Sequence, residues 1–123
     1  MLPKLRTRPK YSHRGFSNWS SGKPDKNQWL AIDLRSTMNL SAIGTKGRYD
    51  DSKQYVTEYE VFYSRDNQKW MQASGENGTI FIGNYDEQTE VRNEFNRPIR
   101  CRYVKIKPLE WVEYITMRVE LYK

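Results

Sequence analysis

The stretch YVTEYEVFYS, residues 55–64, decides the fold class of this 123-residue chain. Its side chains alternate between two faces, with Tyr59, Val61 and Tyr63 on one and Glu58, Glu60 and Phe62 on the other. A period of two is typical of a half-buried β-strand. The turn formers Asp66 and Asn67 follow, and residues 69–71 then provide a returning strand. The stretch therefore predicts a β-hairpin.

Other short segments with strand character lie on both sides of this hairpin. They are residues 29–34, 40–44, 79–82, 90–95, 100–107 and 114–122. Residues 115–122 alternate strictly, and no segment shows the period of an amphipathic helix. The length suits one domain. Many short strands separated by turns predict an all-β sandwich or barrel.

The positive charge is concentrated at the beginning of the chain. Six of the 21 lysines and arginines precede the first acidic residue, Asp25, and the remaining fifteen are balanced by fifteen acidic residues. We therefore expect residues 1–14 to form a basic N-terminal arm or a first edge strand, and residues 15–123 to form the β-domain. Such an arm could meet an anionic partner, and the simpler interpretation is a solvated tail. No stretch is long and apolar enough to span a bilayer.

The sequence lacks the parts of common catalytic sites. His13 is the only histidine and lies in the basic arm, so neither a serine nor a cysteine nucleophile has a plausible base. No phosphate-binding or dinucleotide-binding glycine loop is present. Glu58 and Glu60 share a strand face, which a solvated outer stripe explains more simply than a pair of catalytic acids. Cys101 is alone and is expected to be a small buried residue. We therefore expect no enzyme activity.

Several motifs resemble, in order, those of the discoidin family, also called the coagulation factor V/VIII C-type domain. The "W-L-x-[VI]-D-L" strand is matched by residues 29–34, and "Y-V-T-x-Y-x-[VIL]-x-Y-S" is matched by residues 55–64. Five further motifs match at residues 45–48, 66–70, 81–84, 98–108 and 115–122. The resemblance implies an eight-stranded antiparallel, jelly-roll-like β-barrel with ligand loops at one end. The terminal cysteine pair usual in the family is absent, since Cys101 is the only cysteine.

The resemblance also implies a role without catalysis. Family members act in adhesion or extracellular recognition, so we expect an extracellular or cell-surface location. The expected partner is an anionic phospholipid surface or a glycan. The alternative is an extracellular protein, such as collagen or a receptor, engaged through the loops or the basic arm. We do not expect a nucleic-acid partner, whose binding would depend steeply on salt.

Two segments match the ligand-binding end of the family, residues 14–25 and 46–53. The ligand-binding candidates within them are Arg14, Phe16, Trp19, Ser20, Lys23, Arg48, Tyr49, Asp50 and Asp51. The second segment is polar and mixed in charge, and burying its two aspartates in hydrocarbon would be costly. We therefore expect contact with a headgroup or a sugar rather than deep membrane insertion.

Three of the candidates have a second interpretation. Trp19 could stack on a sugar or lie at a membrane interface, but it could equally pack in the core. Asp50 and Asp51 could bind calcium together with loop carbonyls, although a solvated acidic turn is simpler. No other cofactor is expected.

Overall fold

The computed structural model of the protein describes residues 17–50 and 52–123. These residues form seven strands: β1 (Ser17–Ser20), β2 (Leu30–Lys46), β3 (Tyr55–Ser64), β4 (Met71–Gln72), β5 (Phe81–Ile82), β6 (Val91–Val112) and β7 (Thr116–Tyr122). None of the described segments is a helix that is long and apolar enough to cross a bilayer. The all-β prediction is confirmed.

The strands form one antiparallel sheet in the order β1-β7-β2-β6-β3-β4, with β5 paired to β3. Within the described residues β1 and β4 are edges, so the sheet is not closed. The prediction of an eight-stranded closed barrel is therefore wrong for residues 17–50 and 52–123. The predicted basic arm, residues 1–14, lies outside the described residues.

The strand count differs because two pairs of predicted strands are continuous and β1 is an additional strand. Residues 29–34 and 40–44 fall in the 17-residue β2, and residues 90–95 and 100–107 fall in the 22-residue β6. The β2–β6 register shifts between Asp33 and Met38 and again between Leu40 and Ala42. Unpaired residues of this kind bend a strand. Before the bend β2 pairs with β6 alone, and from Ala42 it lies between β6 and β7.

The folded sheet encloses a single core. Strand β3 supplies Val56, Tyr59 and Val61 to the core, all with no exposed surface. Tyr59 and Val61 share a face, as the alternation predicts, and Tyr63 on the same face is partly buried. Val56 is out of phase with them, because the β3–β6 register shifts on both sides of Glu58. The other fully buried large side chains include Leu30, Leu40, Ile43, Val104, Ile106, Ile115 and Met117. Tyr59 stacks on Phe81 with ring centroids 5.5 Å apart, and Asn93 Nδ2 donates to its hydroxyl at 3.2 Å.

The predicted hairpin is confirmed, with Phe62 opposite Gln72 and Tyr63 opposite Met71. Its turn is organised by Asp66, whose Oδ1 accepts the main-chain amides of Gln68 and Lys69, both at 2.9 Å. An aspartate that binds amides two and three residues ahead stabilises a tight turn.

Three tryptophans support the fold. Trp29 and Trp70 enclose the Lys105 ammonium, whose Nζ lies 3.7 and 4.0 Å from their ring centroids. Burial between the rings lowers the pKa of Lys105. Trp111 packs against the core. The Lys105 stack joins β6 to the segments that precede β2 and β4.

Burial keeps two core groups protonated. It raises the pKa of the Cys101 thiol to about 12, and it raises the pKa of the Tyr59 hydroxyl well above its usual range. Cys101 is fully buried, which confirms its interpretation as a core residue.

This burial predicts a loss of stability in alkali. In alkali the folded chain keeps two protons that the unfolded chain releases. The free energy of unfolding therefore has its full value below about pH 9 and falls as the pH rises toward 12. Each group contributes up to about 1.4 kcal/mol per pH unit. We expect urea unfolding between pH 8 and 11 to show this fall, and Cys101→Ala to make it shallower. Equal slopes for the variant and the wild type would contradict the assignment to Cys101.

Candidate functional site at the loop pole

Two loops emerge side by side at one end of the sheet. Residues 47–54 connect β2 to β3, and residues 83–90 connect β5 to β6. Because Thr45 pairs with Val91, the end of β2 and the start of β6 are adjacent, and so are the two loops. We call residues 47–50, 52–54 and 83–90 the loop pole.

Arg118, on β7, forms hydrogen bonds to both loops. Its Nε donates to the carbonyl of Gly47 at 2.7 Å, and its Nη2 donates to the carbonyl of Glu87 at 2.9 Å. Nη2 also lies 3.3 Å from the carbonyl of Arg48 and 3.1 Å from Gln88 Oε1. Burial lowers the pKa of Arg118, but a guanidinium stays charged near neutral pH because its usual pKa lies far above 7. One guanidinium therefore fixes the spacing of both loops.

Two amide side chains add direct links. Gln88 Nε2 donates to the carbonyl of Tyr49 at 3.1 Å, and the main-chain amide of Gly47 donates to the carbonyl of Glu87 at 3.1 Å. The buried Asn84 donates to the carbonyls of Thr45 and Thr89 at 2.8 and 3.1 Å. Hydrogen bonds between the two loops, and from the second loop to β2, therefore preorganise the loop pole.

Gly47 allows the close approach of the first loop to β3. A Cβ atom at this position would lie 2.5 Å from the carbonyl oxygen of Gln54. Real Cβ atoms do not tolerate that distance from a backbone oxygen, so only glycine fits. The adjacent amide of Arg48 donates to the same Gln54 carbonyl at 2.9 Å.

The Arg48 guanidinium is engaged within its own loop. Its Nε donates to Asp50 Oδ2 at 3.0 Å, and its Cζ lies 6.0 Å from the centroid of the Tyr49 ring. The other oxygen of Asp50 accepts both the amide and the hydroxyl of Ser52, at 3.0 and 2.5 Å. These hydrogen bonds, first that from the Ser52 hydroxyl, lower the pKa of Asp50. The pair therefore shapes the loop that displays Tyr49.

Two tyrosine rings project from the loop pole. Tyr49 is 62% exposed and Tyr85 is 67% exposed, among the highest values for large hydrophobic side chains in the described residues. The two rings belong to different loops. The side chain of Gln88, in the loop of Tyr85, donates to the carbonyl of Tyr49 and so links the two loops. An exposed ring on a rigid loop offers a flat apolar face to a ligand at small entropic cost.

A chain of polar side chains extends from the loop pole toward β1. Gln54 Oε1 accepts the Thr116 hydroxyl at 2.9 Å and lies 3.4 Å from Arg48 Nη1. The hydroxyl oxygens of Thr116 and Ser20 are 3.2 Å apart. Ser20, which is exposed, is thus connected to the second predicted loop. Thr116 is fully buried, so it links Ser20 to Gln54 without facing the solvent itself.

Comparison with known proteins identifies the family. Residues 7–121 match the F5/8 type C domain family. The chain belongs to that family. The resemblance inferred from the motifs is therefore confirmed.

Two relatives illustrate the similarity of this F5/8 type C domain. It is 37% identical to pig (Sus scrofa) lactadherin over 110 residues, which cover 86% of the chain and 27% of lactadherin. It superposes on discoidin II from Dictyostelium discoideum with a TM-score of 0.76 and 36% identity, covering 94% of the chain and 45% of discoidin II. The chain thus spans less than half of either relative.

A more distant structure shares the fold alone. The domain CBM32-1, from a family 31 glycoside hydrolase of Clostridium perfringens, superposes with a TM-score of 0.72 at 22% identity. The match covers 96% of this chain and 86% of that domain. The antiparallel jelly-roll-like architecture is therefore common to both.

The predicted site residues do not all gather at the loop pole of this F5/8 type C domain. Arg48, Tyr49 and Asp50 lie there together, and Ser20 is connected to it. Lys23 is exposed on the turn after β1, where the Ser21 hydroxyl donates to its carbonyl at 2.7 Å.

Trp19 is a core residue and does not contact a ligand. It is 4% exposed, and its position in β1 pairs it with Met117, so its ring packs in the core. The alternative core interpretation of Trp19 is the correct one, because a buried indole has no face left for a ligand.

Three predicted residues, Arg14, Phe16 and Asp51, lie outside the described residues. Residues 17–50 and 52–123 contain no cluster of three or more metal-binding side chains. Asp50 is already engaged by Arg48 and Ser52, and calcium binding together with Asp51 stays a prediction.

Sequence reasoning missed the second loop, residues 83–90, and the role of Arg118. The motif at residues 81–84 ends in Asn84, and its side chain ties the second loop to β2. Arg118 shares a face of its strand with Glu120, and the sequence predicts a structural pair of the two rather than contacts with loop carbonyls. Only the pairing of β7 with β2 shows that loop carbonyls lie above it.

Proposed function

We propose that this chain is a noncatalytic recognition domain that binds a polar saccharide at the loop pole, in an extracellular or cell-surface setting. The observation that carries the proposal is the pair of exposed rings, Tyr49 and Tyr85, on two loops fixed to each other by Gln88 and Arg118. Aromatic faces pack on the apolar faces of sugar rings. The polar chain from Ser20 to Arg48 supplies hydrogen-bonding partners for hydroxyls.

The charges of the loop pole favour a sugar over an anionic headgroup. Arg48 and Arg118 are engaged by Asp50 and by loop carbonyls, which leaves the exposed Lys53 as the other cation of the described loop pole. Asp86 and Glu87 add negative charge to the second loop. A neutral saccharide does not require unpaired cations, whereas an anionic phospholipid surface does.

Family membership supports the absence of catalysis, and the names of some structural neighbours refer to carbohydrate. A module with 19% identity and a TM-score of 0.65 is described as chitosan-binding and was solved with chitotriose. That likeness concerns the fold, and the proposal for this chain depends on its own tyrosines.

The test is a glycan array read beside liposomes that contain phosphatidylserine. We expect Tyr49→Ala and Tyr85→Ala each to weaken saccharide binding about tenfold or more, which corresponds to about 1.4 kcal/mol. Arg48→Ala should weaken binding less, because Arg48 orients Tyr49 without being a free donor.

Ile80→Ala is the control, since Ile80 is 40% exposed and belongs to neither loop of the pole. Wild-type binding by both tyrosine variants would refute the assignment to the loop pole. If the chain bound the liposomes but no glycan on the array, the proposal that its ligand is a saccharide would be refuted.

A further inference from the structure

A basic groove lies at the end of the sheet opposite the loop pole. β3 begins beside the first loop of the pole and ends at Ser64, where the hairpin turn starts. The groove has a volume of about 300 Å³ and is lined by three cations, Arg65, Lys69 and Arg100. We call it the hairpin groove.

The cations of the hairpin groove are not neutralised by ion pairs. In residues 17–50 and 52–123, none of the three forms an ion pair with a carboxylate. Arg100 Nη1 makes a long contact of 3.4 Å to Asn39 Oδ1, a neutral group. Arg97 is also exposed, and it immediately precedes Pro98, which lines the groove.

The one carboxylate of the groove is already engaged. Asp66 Oδ1 accepts two turn amides and lies 3.1 Å from the Ser64 hydroxyl. These bonds, first that from the amide of Lys69, lower the pKa of Asp66, so it stays charged. Three cations against this single anion leave the groove positive.

The concave shape and the apolar walls of the hairpin groove indicate which class of ligand fits it. Tyr63, Met71 and Pro98 line the groove beside the cations. Its volume is at the lower end of the range of small-molecule sites, about 300–1,000 Å³. A flat bilayer surface does not enter such a concavity, whereas one sulfated sugar unit places a ring against the walls and its anionic groups toward the guanidinium forks.

We propose that the hairpin groove is a second ligand site, which binds a sulfated saccharide through Arg65, Lys69 and Arg100. This site is separate from the loop pole and does not depend on the function proposed for it. Its occupant is recognised by charge, whereas the ligand of the loop pole is recognised by aromatic faces.

The test uses a heparin octasaccharide as the probe and the full chain as the protein. Affinity is measured by calorimetry from about 50 to 300 mM NaCl. We expect the triple variant R65Q/K69Q/R100Q to bind at least tenfold more weakly. Since anionic polymers release counterions when cations bind them, the slope of log affinity against log salt should also fall by about two.

The matched control is K26Q/K107Q/K123Q, which removes the same charge from residues that do not line the groove. It should lose less than threefold. Circular dichroism and thermal unfolding verify that both triple variants are folded. A desulfated octasaccharide should bind the wild type as weakly as the sulfated one binds R65Q/K69Q/R100Q.

Two further variants locate the binding. R48A/Y49A should bind heparin as the wild type does, and a loss would place heparin at the loop pole and overturn the inference. K4Q/R6Q/R8Q/K10Q removes charge from the basic arm. Loss of binding in that variant together with unchanged binding by R65Q/K69Q/R100Q would also overturn it. Binding that is equal for duplex DNA and heparin would refute the sulfated saccharide as the specific ligand.

Discussion

Replacing Arg118 with methionine is expected to lower the free energy of unfolding by about 3 kcal/mol and to abolish measurable saccharide binding at the loop pole. The side chain donates to the carbonyls of Gly47 and Glu87 and contacts two further loop oxygens. Hydrogen bonds from a charged group contribute about 1.5–3 kcal/mol each, and their loss leaves partly buried carbonyls without a donor. Methionine retains much of the length but none of the donors.

Urea unfolding measures the stability, and hydrogen exchange measures the loops. The Gly47 amide, which donates to Glu87, should exchange much faster in Arg118→Met. Arg118→Lys should recover only part of the loss, because one ammonium cannot reproduce the planar fork. Arg97→Met, an exposed arginine at the other end of the sheet, is the control and should unfold like the wild type. Unchanged Gly47 exchange in Arg118→Met would show that Arg118 does not order the loops.

Replacing Tyr59 with alanine is expected to cost about 4 kcal/mol of stability, a large fraction of the about 5–15 kcal/mol that stabilises a typical domain. The ring has no exposed surface and stacks on Phe81, which in turn meets Phe95 edge to face at 5.9 Å. Removing it leaves a large cavity at the centre of the core. It also leaves Asn93 without its hydroxyl partner.

Tyr59→Phe separates packing from hydrogen bonding. It keeps the ring and its stacking but removes the hydroxyl, so we expect a cost of about 1 kcal/mol. The comparison is made by chemical denaturation at pH 7. A cost for Tyr59→Phe that equals the cost for Tyr59→Ala would mean that the hydroxyl, rather than the ring, dominates at this position.

Alternation was enough to predict the strands of the sheet but not their number. The bounds of β3 are those predicted, because alternation marks the strand and turn formers follow it, although register shifts around Glu58 interrupt the period of two. The breaks that sequence reasoning placed in β2 and β6 are bends, since Ser36 and Thr37 are exposed and polar yet the chain continues as strand. A polar interruption looks the same in sequence whether a strand ends or bends.

The loop pole was only partly predictable for a related reason. Arg48, Tyr49 and Asp50 are adjacent in the chain, so a single loop revealed them together. The second loop is about forty residues away in sequence, and its contact with the first depends on the Thr45–Val91 register. Trp19 was ambiguous because an aromatic residue near a strand serves a core or a ligand equally well, and only its burial decides.

The run of β3 between the loop pole and the hairpin groove has a mechanical consequence. Ten extended residues at about 3.3 Å each span about 30 Å, so molecules bound at the two ends cannot touch each other. If both proposed sites are occupied, the domain is bivalent, because occupants at its two ends do not compete and can belong to different surfaces. If the two ends engage one flexible polymer, the second contact forms at a high effective concentration and avidity rises without a new contact. If they engage two surfaces, the domain is a rigid spacer of fixed length between them.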